Sequence, residues 1–246
     1  MSPAAPAGPR PDVDAARDRA AEAALALVED GMVLGLGTGD TARRFIAQLA
    51  RRAREESLAL TCVVTSQAAA GHARAGGLTV RPLIEAPRLD LAVDGADEVA
   101  PSLDLLKGGG GAHTKEKIVA ASATRFVVLV DETKLVRRLG ESFPVPLEVL
   151  PEAIPLVQGR LEALGGAVIL RMAGGGPCVT ELGNRILDAR FPPIENPAAL
   201  AARLDGIPGV LEHGLFVGMA TLVLVGDLAT RTVRRLVPSG AERTRS

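Results

Sequence analysis

Apolar and polar positions follow two periods along the first half of the chain. Ala, Leu and Val recur at helical spacing from Val13 to Glu29, and Gly31 supplies a stop. Met32–Leu36 is a short continuous apolar run, as in a strand covered on both faces. A loop at Gly37–Thr41 leads into a second helical pattern over Ala42–Ala53. Thr61–Thr65 predicts a strand, Gln67–Ala75 a helix closed by Gly76-Gly77, and Leu78–Val80 and Leu89–Val93 two further strands. Lys115–Ala123 predicts a helix with Thr114 as N-cap, and Arg125–Val130 a β-branched strand. Strand and helix alternating in this way predict a parallel sheet with helices on both faces.

After Phe143-Pro144-Val145-Pro146 the rhythm changes. Strands are predicted at Leu147–Leu150, Ala167–Arg171, Pro177–Thr180, Arg185–Ala189 and Val210–Phe216, with helices at Ala153–Leu164 and Pro197–Leu204. That order resembles a split βαβ unit. Thr221–Val225 is placed back in the first sheet. The expected fold is α/β: a Rossmann-like parallel sheet flanked by helices, with a smaller α+β domain of the ferredoxin-like split βαβ type. The expected division is a disordered tail (1–12), a Rossmann-like catalytic domain (13–143, completed by 217–238), the α+β domain (144–216) and a loose tail (239–246).

Composition narrows the function. The 246 residues are 47% hydrophobic but only 2% aromatic, so the core is built from Val, Leu, Ile and Ala. Without Trp or Tyr there is no stacking platform for bases, and a net charge of −1 gives no polyanion footprint. No nucleic-acid partner is expected. Cys62 and Cys178 lie far apart and read as free thiols in a reducing compartment. His72, His113 and His213 form no ligand-spaced pair, so no metal is expected. No apolar run is long enough to span a membrane, and Met1–Pro11 lacks the apolar segment of a signal peptide. A cytoplasmic protein without membrane partners follows.

Candidate chemistry concentrates at predicted strand ends. Gly35, Gly37 and Gly39 sit between a strand and a helix, where bare backbone amides and a helix N-terminus suit an anion and Thr38 and Thr41 add hydroxyls. A tight turn is the plain alternative. The Lys-Ser/Thr ending of a P-loop is missing, and Glu55 and Glu56 follow a helix where a dinucleotide site needs an acid after a strand. Asp94 and Asp97 end a strand, where open α/β sheets bind ligands, or they serve a turn. Lys107 precedes Gly108, Gly109, Gly110 and Gly111, a run able to form an anion nest for a developing oxyanion, or simply a flexible loop. Glu116 lies in the first turn of a helix, as a general base or as ordinary dipole complementarity. Lys134 follows the strand ending at Val130, as an anion ligand or a solvated lysine.

Taken in order, these blocks resemble type A ribose-5-phosphate isomerase. The resemblance rests on Asp94-Gly95-Ala96-Asp97-Glu98, Lys107–Ala112, Glu116-Lys117-Ile118-Val119, the Gly35–Ala42 loop, Phe143–Val149, Gly183–Asp188 and Ile207–Phe216. It implies interconversion of D-ribose 5-phosphate and D-ribulose 5-phosphate through an enediolate, in the non-oxidative pentose phosphate pathway, with neither metal nor cofactor. It also implies a homodimer or homotetramer. Glu116 would move the proton between carbons 2 and 1, Asp94 would assist ring opening, and Lys107 with its glycines would stabilise the enediolate. Thr38, Gly39, Asp40, Thr41 and Lys134 would hold the phosphate with Arg17 beside them, and Asp97, Gly108, Gly109 and Gly110 would line the sugar.

Three positions depart from the family pattern. Asp40 replaces a small hydroxyl residue, and two like charges about 5 Å apart repel by roughly 3 kcal/mol at an effective dielectric near 20. It turns outward as a cap, weakens phosphate binding, or marks a different sugar phosphate. His113-Thr114-Lys115 is expected at the mouth of the site, and Glu181-Leu182 away from the chemistry. Two other classes compete with the isomerase: a non-catalytic sugar-phosphate sensor and a dinucleotide-dependent enzyme.

Overall fold

The computed structural model describes residues 11–238. The tails expected over 1–12 and 239–246 lie outside that range except for Pro11 and Asp12, which belong to the first helix. This helix, α1 (Pro11–Leu25), starts earlier than its apolar pattern because Asp12 and Asp14 suit the positive end of the helix. It ends earlier too, in turns that bond Leu27 and Val28 back to Ala24 and Leu25.

The chain continues through β1 (Val33–Leu36), α2 (Asp40–Glu55), β2 (Thr61–Val64), α3 (Gln67–Ala75), β3 (Thr79–Val80), β4 (Leu89–Asp94), β5 (Glu98–Val99) and β6 (Leu105–Leu106). Then come α4 (His113–Ala121), β7 (Ala123–Asp131), β8 (Val145–Val149), α5 (Ile154–Ala163), β9 (Ala167–Leu170), β10 (Met172–Ala173), β11 (Gly176–Pro177) and β12 (Arg185–Arg190). The last elements are α6 (Pro197–Asp205), β13 (Val210–His213), β14 (Leu215–Phe216), β15 (Leu222–Gly226) and β16 (Val233–Leu236).

The largest sheet has the order β16-β15-β7-β4-β1-β2-β3. All its pairings are parallel except β15 with β16, so the expected parallel sheet carries one antiparallel edge strand. The sequence pattern predicts no strand at Val233–Leu236, where Arg234 and Arg235 are exposed. Alternate residues of each strand face opposite cores. Leu34, Leu91, Val127 and Leu224 pack with Phe45 and Leu49 of α2 and the alanines of α1. Ala92, Val128 and Val223 pack on the other face with Val119 of α4 and Phe216. From β1 the chain runs outward to β2 and β3, then crosses back to β4 on the other side. The carboxyl ends of β1 and β4 therefore flank the switch point where open α/β sheets bind ligands.

A second sheet, β13-β8-β12-β9, is wholly antiparallel and carries α5 and α6, in the βαββαβ order. The two sheets are joined by β14-β6-β5, a three-stranded sheet of two-residue strands that apolar periodicity did not reveal. The strand expected over Val210–Phe216 is split between them at Gly214. Its N–H donates to Pro146 O and its carbonyl accepts from Lys107 N. The strand expected over Pro177–Thr180 is replaced by the hairpin of β10 and β11 and one bridge from Val179 to Arg185, because Gly174 and Gly175 both take positive φ and turn the chain early. Among the described residues no helix is long and apolar enough to cross a membrane.

Candidate active site

The β1–α2 turn and the end of β4 are bonded to one another. Gly37 N donates to Val93 O at 2.9 Å, and a Cβ on Gly37 would lie 2.0 Å from Asp94 Cγ. Only glycine lets the Asp94 carboxylate occupy this crevice. Asp94 Oδ1 accepts from the amides of Gly95 (2.7 Å) and Thr38 (3.1 Å).

Lys107 stands between two acids. Its Nζ lies 3.0 Å from Asp94 Oδ2 and 3.1 Å from Glu116 Oε2, and it donates to Gly95 O at 2.6 Å. All three side chains are at least nineteen-twentieths buried, Glu116 being the most exposed at 5%. Glu116 is inward because its helix buries a 3–4 spaced face of His113, Glu116, Val119 and Ala120. That face puts an acid where a core residue is usual.

One cation facing two buried carboxylates cannot neutralise both. Burial, above all, pushes the Glu116 carboxyl up to about 8; Asp94 adds to the rise and Lys107 opposes it. Burial also raises Asp94, against Lys107 and the two amides. Lys107 is raised: burial works against its charge, but the two carboxylates outweigh it. The acids therefore titrate as a coupled set. Asp94 accepts two backbone N–H bonds that Glu116 lacks, so ionisation is better supported at Asp94 and the shared proton sits mainly on Glu116.

This has a consequence for stability. Between the ordinary 4.5 and about 8, the folded protein keeps a proton on Glu116 that the unfolded chain releases. Stability therefore falls as pH rises through that window. Glu116→Gln mimics the protonated acid and removes the penalty. Its melting temperature is expected to exceed the parent's by several degrees at pH 8 and to match it near pH 5, at about 2–4 °C per kcal/mol for a chain of this size. Thermal melts of both proteins across that range check it.

The glycine loop closes the other wall. Gly108 has φ +106°, and a Cβ there would meet Pro146 Cγ at 2.6 Å. Gly109 N donates to Asp97 Oδ2 at 2.8 Å. His113 is fully buried beneath this loop, not at the mouth as expected, and burial pushes its imidazolium down to about 3. Thr114 does not cap α4. The N-cap is Ala112, and the Thr114 hydroxyl donates to buried Glu148, which also accepts from Thr180 Oγ1 (2.6 Å) and Asn184 Nδ2 (2.9 Å). Helix α4 starts at His113 because this network holds its first turn. Lys115 and Glu181 pair at 3.0 Å on the surface.

At the far end of the cleft the first helical bond of α2 runs from Arg43 N to Gly39 O, leaving the amides of its first turn for a ligand. Thr41 lies here, and so does Lys134, which has no carboxylate within 4 Å of Nζ among the described residues. The Thr38 hydroxyl is bonded to Thr65 Oγ1 (2.6 Å) and Ser66 Oγ (2.8 Å). Arg17 reaches in from α1, held by Asp131 at 2.8 Å. Asp40 is not a cap. It bridges Arg43 (2.5 Å), Arg44 (2.9 Å) and Arg17 (3.4 Å). Burial opposes its charge, but the bonds from Arg44 and Arg43 hold its carboxyl at about 2.

These groups enclose a cleft of about 220 Å³. Arg17, Thr38, Gly39, Asp40, Thr41, Asp97, Lys107, Gly108, Gly109, Gly110, Glu116 and Lys134 all line it, with Asp94 beneath Lys107. Gly95 and Ala96 complete the wall, and Gly95 was readable as part of the Asp94–Glu98 block. Glu55 ends α2 and Glu56 pairs with Arg52 at 3.0 Å, so neither serves as a ribose-binding acid. Asp205, Glu212 and His213 bring ligand atoms within 4.8 Å of one another elsewhere. The Lys117 ammonium, 2.5 Å from Glu212, already supplies a positive charge there.

Three comparisons bear on this geometry. A family model described as ribose 5-phosphate isomerase A (phosphoriboisomerase A) matches residues 61–229. The ribose-5-phosphate isomerase A of Methanothermobacter thermautotrophicus is 51% identical over 201 residues, 81% of this chain and 88% of the relative. The solved ribose 5-phosphate isomerase A of Methanocaldococcus jannaschii superposes with a TM-score of 0.86 at 44% identity, over 90% of this chain and 98% of that one. A D-ribose-5-phosphate isomerase solved in complex with phospho-erythronic acid gives a TM-score of 0.89 at 40% identity, over 92% and 99%.

Proposed function

The chain belongs to the ribose 5-phosphate isomerase A family and interconverts D-ribose 5-phosphate and D-ribulose 5-phosphate, and from that premise we propose how its residues divide the work. The phosphate lies against Lys134, Arg17, Thr41 and the first-turn amides of α2. Carbons 1 and 2 lie over Lys107 and Glu116. Asp94 exchanges protons with the sugar oxygens and opens the ring. Glu116, as carboxylate, takes the proton from carbon 2 of the open aldose. The C–H electrons form the carbon 1–carbon 2 double bond, and the carbonyl oxygen takes up the charge. Lys107 Nζ and the glycine-loop amides stabilise that oxyanion. Glu116 then returns the proton to carbon 1 while Asp94 moves the carbon 2 hydroxyl proton to the carbon 1 oxygen, and the carbon 2 oxygen becomes the carbonyl. A carboxyl near 8 suits this double duty, since it is neither too weak a base nor too weak an acid at neutral pH.

The observation that carries this reading is the buried Lys107 ammonium placed between two carboxylates at 3.0 and 3.1 Å. The test is an isomerase assay with chelator across several pentose and hexose phosphates. Ribose 5-phosphate is expected to have the highest kcat/KM, by a factor of ~10 or more, the loss when a buried polar group is left unsatisfied. A higher value for another sugar phosphate would assign the site to that substrate.

The role of Asp40 follows from its three arginine partners. Its charge is already matched, so the repulsion expected from sequence is offset. Asp40→Ser is expected to change KM for ribose 5-phosphate by less than about threefold, the scale of a screened surface pair. A tenfold fall in KM would show that the carboxylate opposes the phosphate.

We further propose the division into 13–143 with 217–238 and 144–216, a cytoplasmic location, and a homodimer or homotetramer. Ile169, 66% exposed on edge strand β9, and Met172, 61% exposed in the β10–β11 hairpin that follows it, support self-association. Light scattering gives the mass directly.

A further inference from the structure

The glycine loop has almost no internal means of holding its shape. Its one internal backbone bond is Gly111 N to Gly108 O, and glycines give up the most chain entropy when ordered. The second sheet supplies the hold. Arg171, directly after β9, donates from Nη1 to the carbonyls of Gly108 (2.8 Å) and Gly109 (3.2 Å). Its Nε and Nη2 grip Asp188 of β12 at 2.8 and 2.5 Å.

Each gripped carbonyl fixes the amide on the opposite side of its peptide, because a trans peptide points C=O and N–H in opposite directions. The Gly108–Gly109 peptide is held at both ends: Arg171 takes the carbonyl and Asp97 takes the N–H. The Gly109–Gly110 peptide is held by Arg171 at the carbonyl alone. Among the described residues the Gly110 N–H has no acceptor, and Gly110 lines the cleft.

We infer that Arg171, fixed by Asp188, is a positioning residue that aims the Gly110 N–H at the enediolate oxygen. The inference rests on the division of labour proposed above. Arg171 does not line the cleft, and its charge is matched by the bidentate Asp188 pair, so it acts through geometry. A lysine has no planar fork and cannot hold the acid and two carbonyls together.

The test measures kcat, KM for ribose 5-phosphate and the affinity for phospho-erythronic acid, a phosphorylated sugar acid whose carboxylate matches the enediolate in charge. Arg171→Ala is expected to lower kcat by ~100-fold, as for one lost oxyanion donor, with KM held within about threefold. Affinity for the acid falls about as much as kcat, since both read the same donor. Free guanidinium restores part of kcat to Arg171→Ala, and Arg171→Lys stays impaired. Kcat within about threefold of the parent overturns the inference, and so does a loss in which KM rises in step and guanidinium restores nothing. If Arg171→Ala does not fold, Asp188→Asn decides: lowered kcat at constant KM supports the inference, and unchanged kcat overturns it. Glu116→Gln is assayed alongside. If it is active, the division of labour itself fails; if it is inactive while the Arg171 variants are normal, only the positioning role fails.

Discussion

Glu116→Gln is expected to bind ribose 5-phosphate almost as the parent does and to turn it over ~10²–10⁴-fold more slowly, the range of general acid–base catalysis. The amide keeps the shape of the carboxyl and an oxygen facing Lys107, 3.1 Å away in the parent. It has no basic pair able to take a carbon-bound proton. The proposed phosphate contacts lie at the other end of the cleft, on α1, α2 and the turn at Glu132–Lys134, and are untouched. KM should stay within about threefold while kcat collapses, the signature of an interaction made only in the transition state. Steady-state kinetics with the variant's fold checked by its melting curve measure this. A kcat within tenfold of the parent would assign the base elsewhere.

Lys107→Met removes more than the proposed oxyanion donor. The oxyanion loses its nearest cation, a loss of ~10²–10³ in kcat. Asp94 and Glu116, both buried, are left facing each other without a counter-ion, and breaking a buried pair in this way costs about 3–5 kcal/mol. Both effects come from one ammonium 3.0 and 3.1 Å from the two acids. The two are separable. Protonation relieves the repulsion, so the variant's stability should recover as pH falls below the raised values of the acids. Adding Glu116→Gln should recover stability at pH 8 as well, without recovering turnover. A Lys107→Met protein with parental melting temperature at pH 8 would show that the carboxylates do not depend on Lys107 for their charge.

The parts of the fold legible in the sequence are those with a local cause. Helix α3 runs from Gln67 to Ala75 as read, because Ser66 caps it by accepting from Ala69 N and Gly76-Gly77 stops it. The long strands were visible as apolar runs buried on both faces. The three-stranded sheet was not, since a strand such as Glu98–Val99 spans a single period of strand alternation and cannot show a repeat. The other edge strand, Leu215–Phe216, was hidden within a longer apolar stretch that bends at Gly214.

At the site, the residues suggested by strand ends and glycine runs do come together around one cleft. Their supports were silent. Arg171 and Asp188 lie 17 residues apart, and nothing in either stretch distinguishes a loop clamp from an ordinary surface pair. Glu148 read as part of an apolar strand, and only packing brings Thr114, Thr180 and Asn184 to it. Asp40 is the opposite case. Its charge was conspicuous in sequence, while the three arginines that neutralise it come from two helices.

On the proposed mechanism Glu116 carries a carbon-bound proton between carbons 2 and 1. Isomerisation of ribose 5-phosphate in deuterium oxide, followed by NMR with chelator present, tests it most directly. The parent protein is predicted to place solvent deuterium on carbon 1 of ribulose 5-phosphate, and Glu116→Gln to lose incorporation and turnover together while still binding phospho-erythronic acid. Turnover or incorporation that persists in Glu116→Gln would contradict it.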